Sequence, residues 1–288
     1  MTQKKSISVC SIVVTFQPEM KEFTKNVATL LEQTNHVFIV DNTPKNLEQA
    51  HQINHLSLKN KRITLIQNGE NRGIATALNQ GIKAAISKKF DYIATFDQDS
   101  SPQQGMVENL VTFLEKNGGD NCIATPQIHD KLETNITTAT PQLIDLAITS
   151  GMVFPSKIPK KYGLMVEKLF IDYVDIEYSL RLRKGGAQLW LVPGAMLQHS
   201  LGNLSELVIF GKHYYPTNHS AFRRYFITRN RIFVWFTYIK FFPKYVLKDI
   251  KSSIIEAVLI VLIEQDKIKK VFAMLRGFKD ALFNNFNS

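Results

Sequence analysis

Asp97-Gln98-Asp99 places two carboxylates one residue apart, directly behind the apolar run Asp91–Phe96. Where a buried strand breaks, two such side chains can turn the same way and offer hard oxygen ligands to Mg²⁺ or Mn²⁺, with substrate phosphate oxygens completing the shell. The competing reading is a solvated turn whose carboxylates cap the next helix, although Ser100-Ser101-Pro102 can do that capping. Asp41 follows a second apolar run, His36–Val40. A carboxylate there can accept hydrogen bonds from a ribose or base at a sheet edge, or it can close an Asx-turn with Asn42 before Pro44.

Two further groups have the chemistry of an anion site and of proton transfer. Asn71-Arg72-Gly73 enters a helix, where free N–H groups and a cation would meet phosphates. Asp172 and Asp175 lie three residues apart at the start of another helix and so share a face. One can orient a substrate hydroxyl while the other takes its proton. Glu177 reads as structural, an i,i+4 partner for Arg181. His199 follows the strand-like Gln188–Val192, and a lone histidine there is structural unless a metal converges on it.

These residues need a scaffold, and the hydrophobic pattern supplies one. Ile7–Phe16 is β-branched and nearly continuous, as a strand covered on both faces requires. Glu19–Gln33 places Phe23, Val27, Leu30 and Leu31 on one helical face. A strand at His36–Val40, a polar helix from Asn46, a strand at Ile63–Ile66, a helix from Gly73 and a strand at Asp91–Phe96 follow. Strand and helix alternating in this way predict a mostly parallel α/β sheet whose ligands bind beyond the carboxyl ends of its strands. Those ends are Thr15-Phe16, Asp41, the loop to Arg72, and Asp97–Asp99.

At 288 residues the chain can bury a substantial core, and 44% hydrophobic with 21% charged residues excludes a disordered or fibrous class. Cys10 and Cys122 are the only cysteines, too far apart in sequence for a disulfide framework or C-x-x-C site, so a reducing, cytoplasmic setting is expected. The polar start reads as leading into a first strand. The net charge of +10 is uneven, because from Lys212 onward 14 Lys and Arg stand against 5 Asp and Glu. Such a terminus seeks phosphate or an anionic surface. Ser253–Ile263 is apolar but too short to span a bilayer. From Lys267, Ile268, Val271, Phe272, Leu275, Phe278 and Leu282 share a face, with Lys269, Lys270, Arg276 and Lys279 elsewhere, which makes a basic amphipathic helix. Residues 1–211 are therefore expected to form the catalytic domain and 212–288 a helical, membrane-associating region.

In order and spacing, Val14-Thr15-Phe16, Val40-Asp41-Asn42, Asn71-Arg72-Gly73-Ile74-Ala75, Asp97-Gln98-Asp99, Ser150-Gly151, Asp172-Tyr173-Val174-Asp175 and His199-Ser200-Leu201-Gly202 resemble the family 2 glycosyltransferases. Within that family, the chain is similar to bacterial rhamnosyltransferases of surface-polysaccharide assembly, which share a tract like His219–Asn230. The resemblance covers roughly residues 7–235. It implies a GT-A fold and inverting transfer from a nucleotide sugar, dTDP-L-rhamnose above all, with a UDP-hexose or UDP-galactofuranose as the alternative donor. By matching motif it implies that Thr15, Phe16, Asp41, Arg72, Gly73 and Asp97 bind the nucleotide and its diphosphate. Asp97, Asp99 and His199 would hold Mg²⁺ or Mn²⁺, and Asp175 would be the base. The family pattern commonly has Glu immediately before this Asp; Val174 stands here, which leaves the orienting role to Asp172.

The resemblance also implies a lipid-linked oligosaccharide acceptor, met at the inner face of the cell membrane by an enzyme held peripherally on anionic lipid. Interleaved aromatic and basic residues could suit single-stranded nucleic acid, but no recognition motif accompanies them, so no nucleic acid is expected. Packing of the terminal helices against a second subunit, as a homo-oligomer, is compatible with the membrane reading. A non-catalytic glycan- or nucleotide-binding protein is the remaining alternative, and the complete acid set argues against it.

Overall fold

The structure is a computed structural model and describes residues 7–117, 119–129, 139–198, 207–209, 212–214, 218–284 and 286. Its contacts divide the chain into two compact units, residues 1–167 with 178–200, and residues 168–177 with 201–288. The short segment 168–177, which carries Asp172 and Asp175, thus groups with the C-terminal helices.

The first unit is built on nine strands. Its first half follows the alternating pattern: β1 (Val9–Thr15), α1 (Met20–Gln33), β2 (His36–Pro44), α2 (Glu48–Leu58), β3 (Ile63–Gly69), α3 (Ile74–Ser87) and β4 (Tyr92–Asp97). β1 pairs in parallel with β2 and β4, and β2 with β3. Side chains alternate across β1, and both faces are covered. Val13 joins Phe23 and Val27 of α1 in the main core, while Ile12 meets α3. Gly81 makes that second contact possible, because a Cβ there would overlap the Ile12 side chain.

The rest of the unit comprises β5 (Ser101–Pro102), α4 (Met106–Asn117), β6 (Cys122–His129), β7 (Gln142–Leu143), β8 (Met152–Pro155), α5 (Ile158–Tyr162), α6 (Val174–Lys184) and β9 (Gln188–Gln198). Residues 174–177 of α6 belong to the other unit. The sheet order is β3-β2-β1-β4-β8-β6-β9-β5, with β7 paired to β9. β8 runs antiparallel to β4 and β6, and the β5 and β7 pairings with β9 are antiparallel too. The expected α/β sheet is therefore mixed, with its parallel part formed by β3-β2-β1-β4 and by β6-β9. β9 outruns the expected Gln188–Val192 because a bulge opposite Pro126 and Gln127 lets pairing continue past Pro193 and Gly194.

The second unit contains β10 (Leu207–Ile209) paired antiparallel with β11 (Lys212–Tyr214), then α7 (Ala221–Tyr238), α8 (Pro243–Leu262) and α9 (Lys267–Leu282). Its interior is unusually ionic. Arg224 is 1% exposed and pairs with Glu256 and with Glu264, the latter at 2.6 Å, while Lys270 reaches Glu264 at 2.9 Å. Buried charges persist only when paired in this way.

α9 packs with its polar side inward. Lys270, Gly277 and Asp280 are buried, and Asp280 accepts a hydrogen bond from the Tyr225 hydroxyl at 2.8 Å. Gly277 admits the α7 backbone, since a Cβ there would lie 2.5 Å from the Tyr225 carbonyl oxygen. Ile268, Phe272, Leu275, Phe278 and Leu282 are consequently exposed. α8 adds exposed Leu247, Ile254, Val258, Val261 and Leu262. Among the described residues, no helix is long and apolar enough to cross a membrane.

Candidate active site

The parallel register brings three of the expected residues to one sheet edge. Thr15 stands opposite Asp41 on β2, and Val14 opposite Asp97 on β4. The apolar runs stop at these residues: Thr15 and Asp97 are the last residues of β1 and β4, while β2 stays paired with β3 through Asp41 and on to Pro44.

Asp41 is fully buried. Its Oδ1 accepts from the Thr43 N–H at 2.8 Å, so the Asx-turn forms. Its Oδ2 is equally buried and has no hydrogen-bond partner among the described residues. Leaving a buried carboxylate oxygen unsatisfied costs about 1–3 kcal/mol or more. Such an atom at the carboxyl edge of the parallel strands is suited to accept a donor from outside the chain. The Asx-turn and the acceptor role, alternatives in the sequence, are served here by different oxygens of one carboxylate.

Thr15 is buried, and its hydroxyl donates to Gln98 Oε1 at 3.0 Å. The same oxygen takes the Phe16 N–H at 2.8 Å, while the Phe16 side chain is 40% exposed and open to stacking. Gln98 thereby ties the end of β1 to the end of β4. It was missed in the sequence, although its place between the two aspartates marked it. Asp97 and Asp99 flank it, both partly exposed. The Asp97 N–H donates to Ser150 Oγ at 3.3 Å, and Ser150 meets Ser100 at 2.5 Å, so the Ser150-Gly151 turn props the aspartate loop from behind.

Arg72 and Gly73 sit behind an amide network. Asn68 Nδ2 donates to Asn42 Oδ1 at 2.8 Å and to Gln80 Oε1 at 2.9 Å; Asn42 Nδ2 donates to the Gly73 carbonyl at 3.2 Å. Gly73 has φ +79°, a left-handed conformation that favours glycine, and its N–H is taken by Asn71 Oδ1. The Arg72 side chain is half exposed and paired with Glu70 at 3.1 Å. Asn68 and Gln80 were not singled out in the sequence, since amides in a polar loop and on a helix carry no distinctive spacing.

His199 lies outside the described residues. Among those described, no group of three or more His, Cys, Asp or Glu side chains could hold a metal. The candidate ligand set in hand is the aspartate pair, whose hard oxygens suit Mg²⁺ or Mn²⁺.

In the second unit, Asp172 stands on a constrained loop and Asp175 follows it in the first turn of α6. Phe170, Asp172 and Tyr173 all have φ between +61° and +64°. Non-glycine residues held in that region cost about 1–3 kcal/mol each and cluster where function needs them. Arg223 grips Asp172 in a fork, with Nε 3.0 Å from Oδ2 and Nη2 2.9 Å from Oδ1. Asp175 is partly buried in the first turn of α6, its Oδ1 accepting the Ile176 N–H at 2.8 Å. Burial pushes the Asp175 carboxyl from 3.8 up to about 6, and the Asp172 charge adds to the rise while the Ile176 N–H opposes it. Poised near neutrality, Asp175 suits a general base; Asp172, with both oxygens engaged, suits an orienting role. Glu177 is buried and takes the Tyr238 hydroxyl at 2.7 Å, a structural contact.

The chain is 27% identical over 300 residues to dTDP-rhamnosyl transferase RfbF of Shigella flexneri, covering 94% of this chain and 96% of the relative. An uncharacterized glycosyltransferase of Haemophilus influenzae is 26% identical over 110 residues, 37% of this chain and 33% of that one. The fold matches the crystal structure of GalNAc-T7 with UDP, GalNAc and Mn²⁺ at TM-score 0.64 and 13% identity, covering 97% of this chain but only 56% of that one. It also matches S. aureus TarS 1-349 in complex with UDP-GlcNAc at TM-score 0.56 and 13% identity, covering 96% and 73%. With these neighbours, the mixed α/β sheet is of the GT-A type. The family described as glycosyl transferase family 2 matches residues 11–175, from β1 through both aspartate pairs, and the chain belongs to that family and is a glycosyltransferase.

Proposed function

We propose that the enzyme transfers L-rhamnose, with inversion, from dTDP-L-rhamnose to a lipid-linked glycan in surface-polysaccharide synthesis. The observation that carries the donor assignment is the end-to-end similarity to a protein named for dTDP-rhamnosyl transfer. The geometry supports the nucleotide part of the reading. Asp41 Oδ2 offers a buried acceptor for the base or ribose, and the exposed Phe16 ring offers a stacking face. Gly73 and Arg72 lie at the start of α3, whose N-terminus favours phosphate.

Asp97 and Asp99, with His199 as a further ligand, would hold Mg²⁺ or Mn²⁺. When bound, such an ion neutralises charge developing on a nucleoside diphosphate leaving group. Asp175 takes the proton from the acceptor hydroxyl, and Asp172, fixed by Arg223, orients that hydroxyl for attack on the anomeric carbon from the face opposite the diphosphate. The electron pair of the broken glycosidic bond leaves on the diphosphate oxygen, and the proton stays on Asp175 until solvent takes it.

A panel of nucleotide sugars assayed for metal-dependent transfer or hydrolysis tests the donor. Turnover of dTDP-L-rhamnose well above UDP-hexoses and UDP-galactofuranose is expected, and preference for a UDP-sugar would replace the donor assignment.

The acceptor reading is supported by the exposed apolar faces of α8 and α9. They are accompanied by exposed Lys244, Lys248, Lys251, Lys267, Lys269, Arg276 and Lys279. Isolated apolar residues on a surface are ordinary, but a patch spread over two helices marks an interaction face. A basic setting selects an anionic bilayer as its partner, which would hold the enzyme at the cytoplasmic face. Binding to vesicles containing anionic lipid should be strong at low salt and fall steeply as salt rises, and Phe272→Asp with Leu275→Asp should weaken it about tenfold or more. Equal binding to neutral vesicles, or a stable dimer that buries this face without lipid, would contradict the assignment.

A further inference from the structure

The loop that carries Asp172 and leads into Asp175 is restrained by α7, and its conformation has a specific source. Asn230 is fully buried. Its amide Nδ2 donates to the carbonyl oxygens of Leu169 at 2.7 Å, Ile171 at 2.8 Å and Asp172 at 3.0 Å. Two N–H donors thus serve three carbonyls of a loop that contains three left-handed non-glycine residues. Asn230 Oδ1 accepts from Arg229 Nε at 3.1 Å, which fixes which end of the amide faces the loop, and Arg229 Nη2 adds a bond to the Lys168 carbonyl at 2.7 Å. Arg223, two turns earlier on α7, grips the Asp172 carboxylate. The Tyr173 hydroxyl is held by Arg231 and by Asp249, the latter at 3.0 Å.

The backbone preferences of this loop do not favour its conformation, because left-handed φ is unfavourable for Phe170 and Tyr173. The external bonds from α7 have to supply the difference. We propose that Asn230 and Arg223 are positioning residues for catalysis, Asn230 fixing the loop backbone and Arg223 the Asp172 side chain, so that Asp172 and Asp175 face one acceptor hydroxyl together. The inference rests on the reading of Asp175 as base.

Asn230→Asp keeps the shape and loses both donors, and its negative charge faces three carbonyl oxygens. In the full-length enzyme, kcat should fall by about 100-fold or more, while the dissociation constant of the donor sugar, measured by calorimetry, stays within threefold. The acid limb of the kcat/KM profile should also move down from pH 6 as the loosened loop hydrates Asp175. Among the described residues, the charged and titratable groups facing Asp175 are Asp172 on the preceding loop and Tyr245 of α8. His219, beside Asp172 and Arg223, is the other group that titrates nearby, and His219→Gln should leave the limb in place.

Should Asn230→Asp fail to fold, Arg223→Lys decides the matter. Its side chain is 43% exposed, so the fold should survive while the fork on Asp172 is lost, and kcat should fall about tenfold or more at unchanged melting temperature and donor affinity. Wild-type kcat with an unmoved acid limb in either folded variant overturns the inference, as does a parallel loss of donor binding. An active Asp175→Asn enzyme would instead remove the base reading itself. Inactive Asp175→Asn beside fully active Asn230→Asp and Arg223→Lys would remove the positioning role alone.

Discussion

Asp175→Asn should leave donor affinity unchanged and cut transfer by about 10²–10⁴-fold, the usual worth of a positioned general base. The substitution keeps the shape of the side chain and its contact with the Ile176 N–H, and it removes only the ability to take a proton. In the parent enzyme, kcat/KM should rise with pH through about 6 and level off above about 7, because burial holds the carboxyl at about 6 and only the ionised form is a base. Stability should run the other way. A carboxyl whose folded value lies above its ordinary 3.8 favours the folded state below that value and loses the advantage as pH rises through 6. Asp175→Asn should therefore be more stable than the parent at pH 7.5, by up to about 2–3 kcal/mol at 1.36 kcal/mol per unit, and no different near pH 3.5. Thermal unfolding at the two pH values checks this. A variant that gains stability while losing transfer is the pattern of a residue kept for chemistry at the expense of the fold.

Asp99→Ala should abolish metal-dependent donor binding, and Asp97→Asn should do the same less completely. Each removes a hard oxygen from the candidate ligand pair at the end of β4, and the electrostatic stabilisation at issue is several kcal/mol, or a factor of about 100 or more. Titration of the nucleotide sugar with and without Mn²⁺ or Mg²⁺ separates the two components. The parent should lose most of its affinity when the ion is chelated, the Asp99→Ala enzyme should bind weakly in either case, and metal should make little difference to it. Unchanged, metal-independent binding in both variants would place the diphosphate elsewhere.

Much of the candidate site in the first unit was legible in the amino-acid sequence, because β1, β2 and β4 each carry an apolar run that stops at a polar residue. Their parallel pairing puts Thr15, Asp41 and Asp97 at one edge, as that pattern predicts. What pairing could not show was how the edge is tied together. Gln98 and Ser150 act through single side-chain hydrogen bonds across about 50 to 80 positions of sequence, and no local periodicity marks such contacts. The antiparallel β8 was missed because four buried residues in a less regular stretch resemble any short apolar run.

The C-terminal helices depart furthest from a pattern-based reading. Hydrophobic periodicity finds the face of α9 correctly but says nothing about which face meets the protein. Here buried Lys270 and Asp280 find partners in Glu264 and Tyr225, and the apolar stripe is left outside. The aspartate loop was legible as an acidic pair ahead of a helix. Its three left-handed residues and the amide that restrains them appear only in the folded chain, since left-handed φ at Phe170 and Tyr173 opposes their intrinsic preference.

The proposed transfer is one displacement at the anomeric carbon, with Asp175 taking the proton from the incoming hydroxyl. The configuration of the first-formed product, read from the one-bond carbon–hydrogen coupling of its anomeric centre by NMR, tests it most directly. A single displacement gives a configuration opposite to that of the donor sugar. A product with the donor's own configuration would require a second displacement or a front-face reaction, and would contradict it.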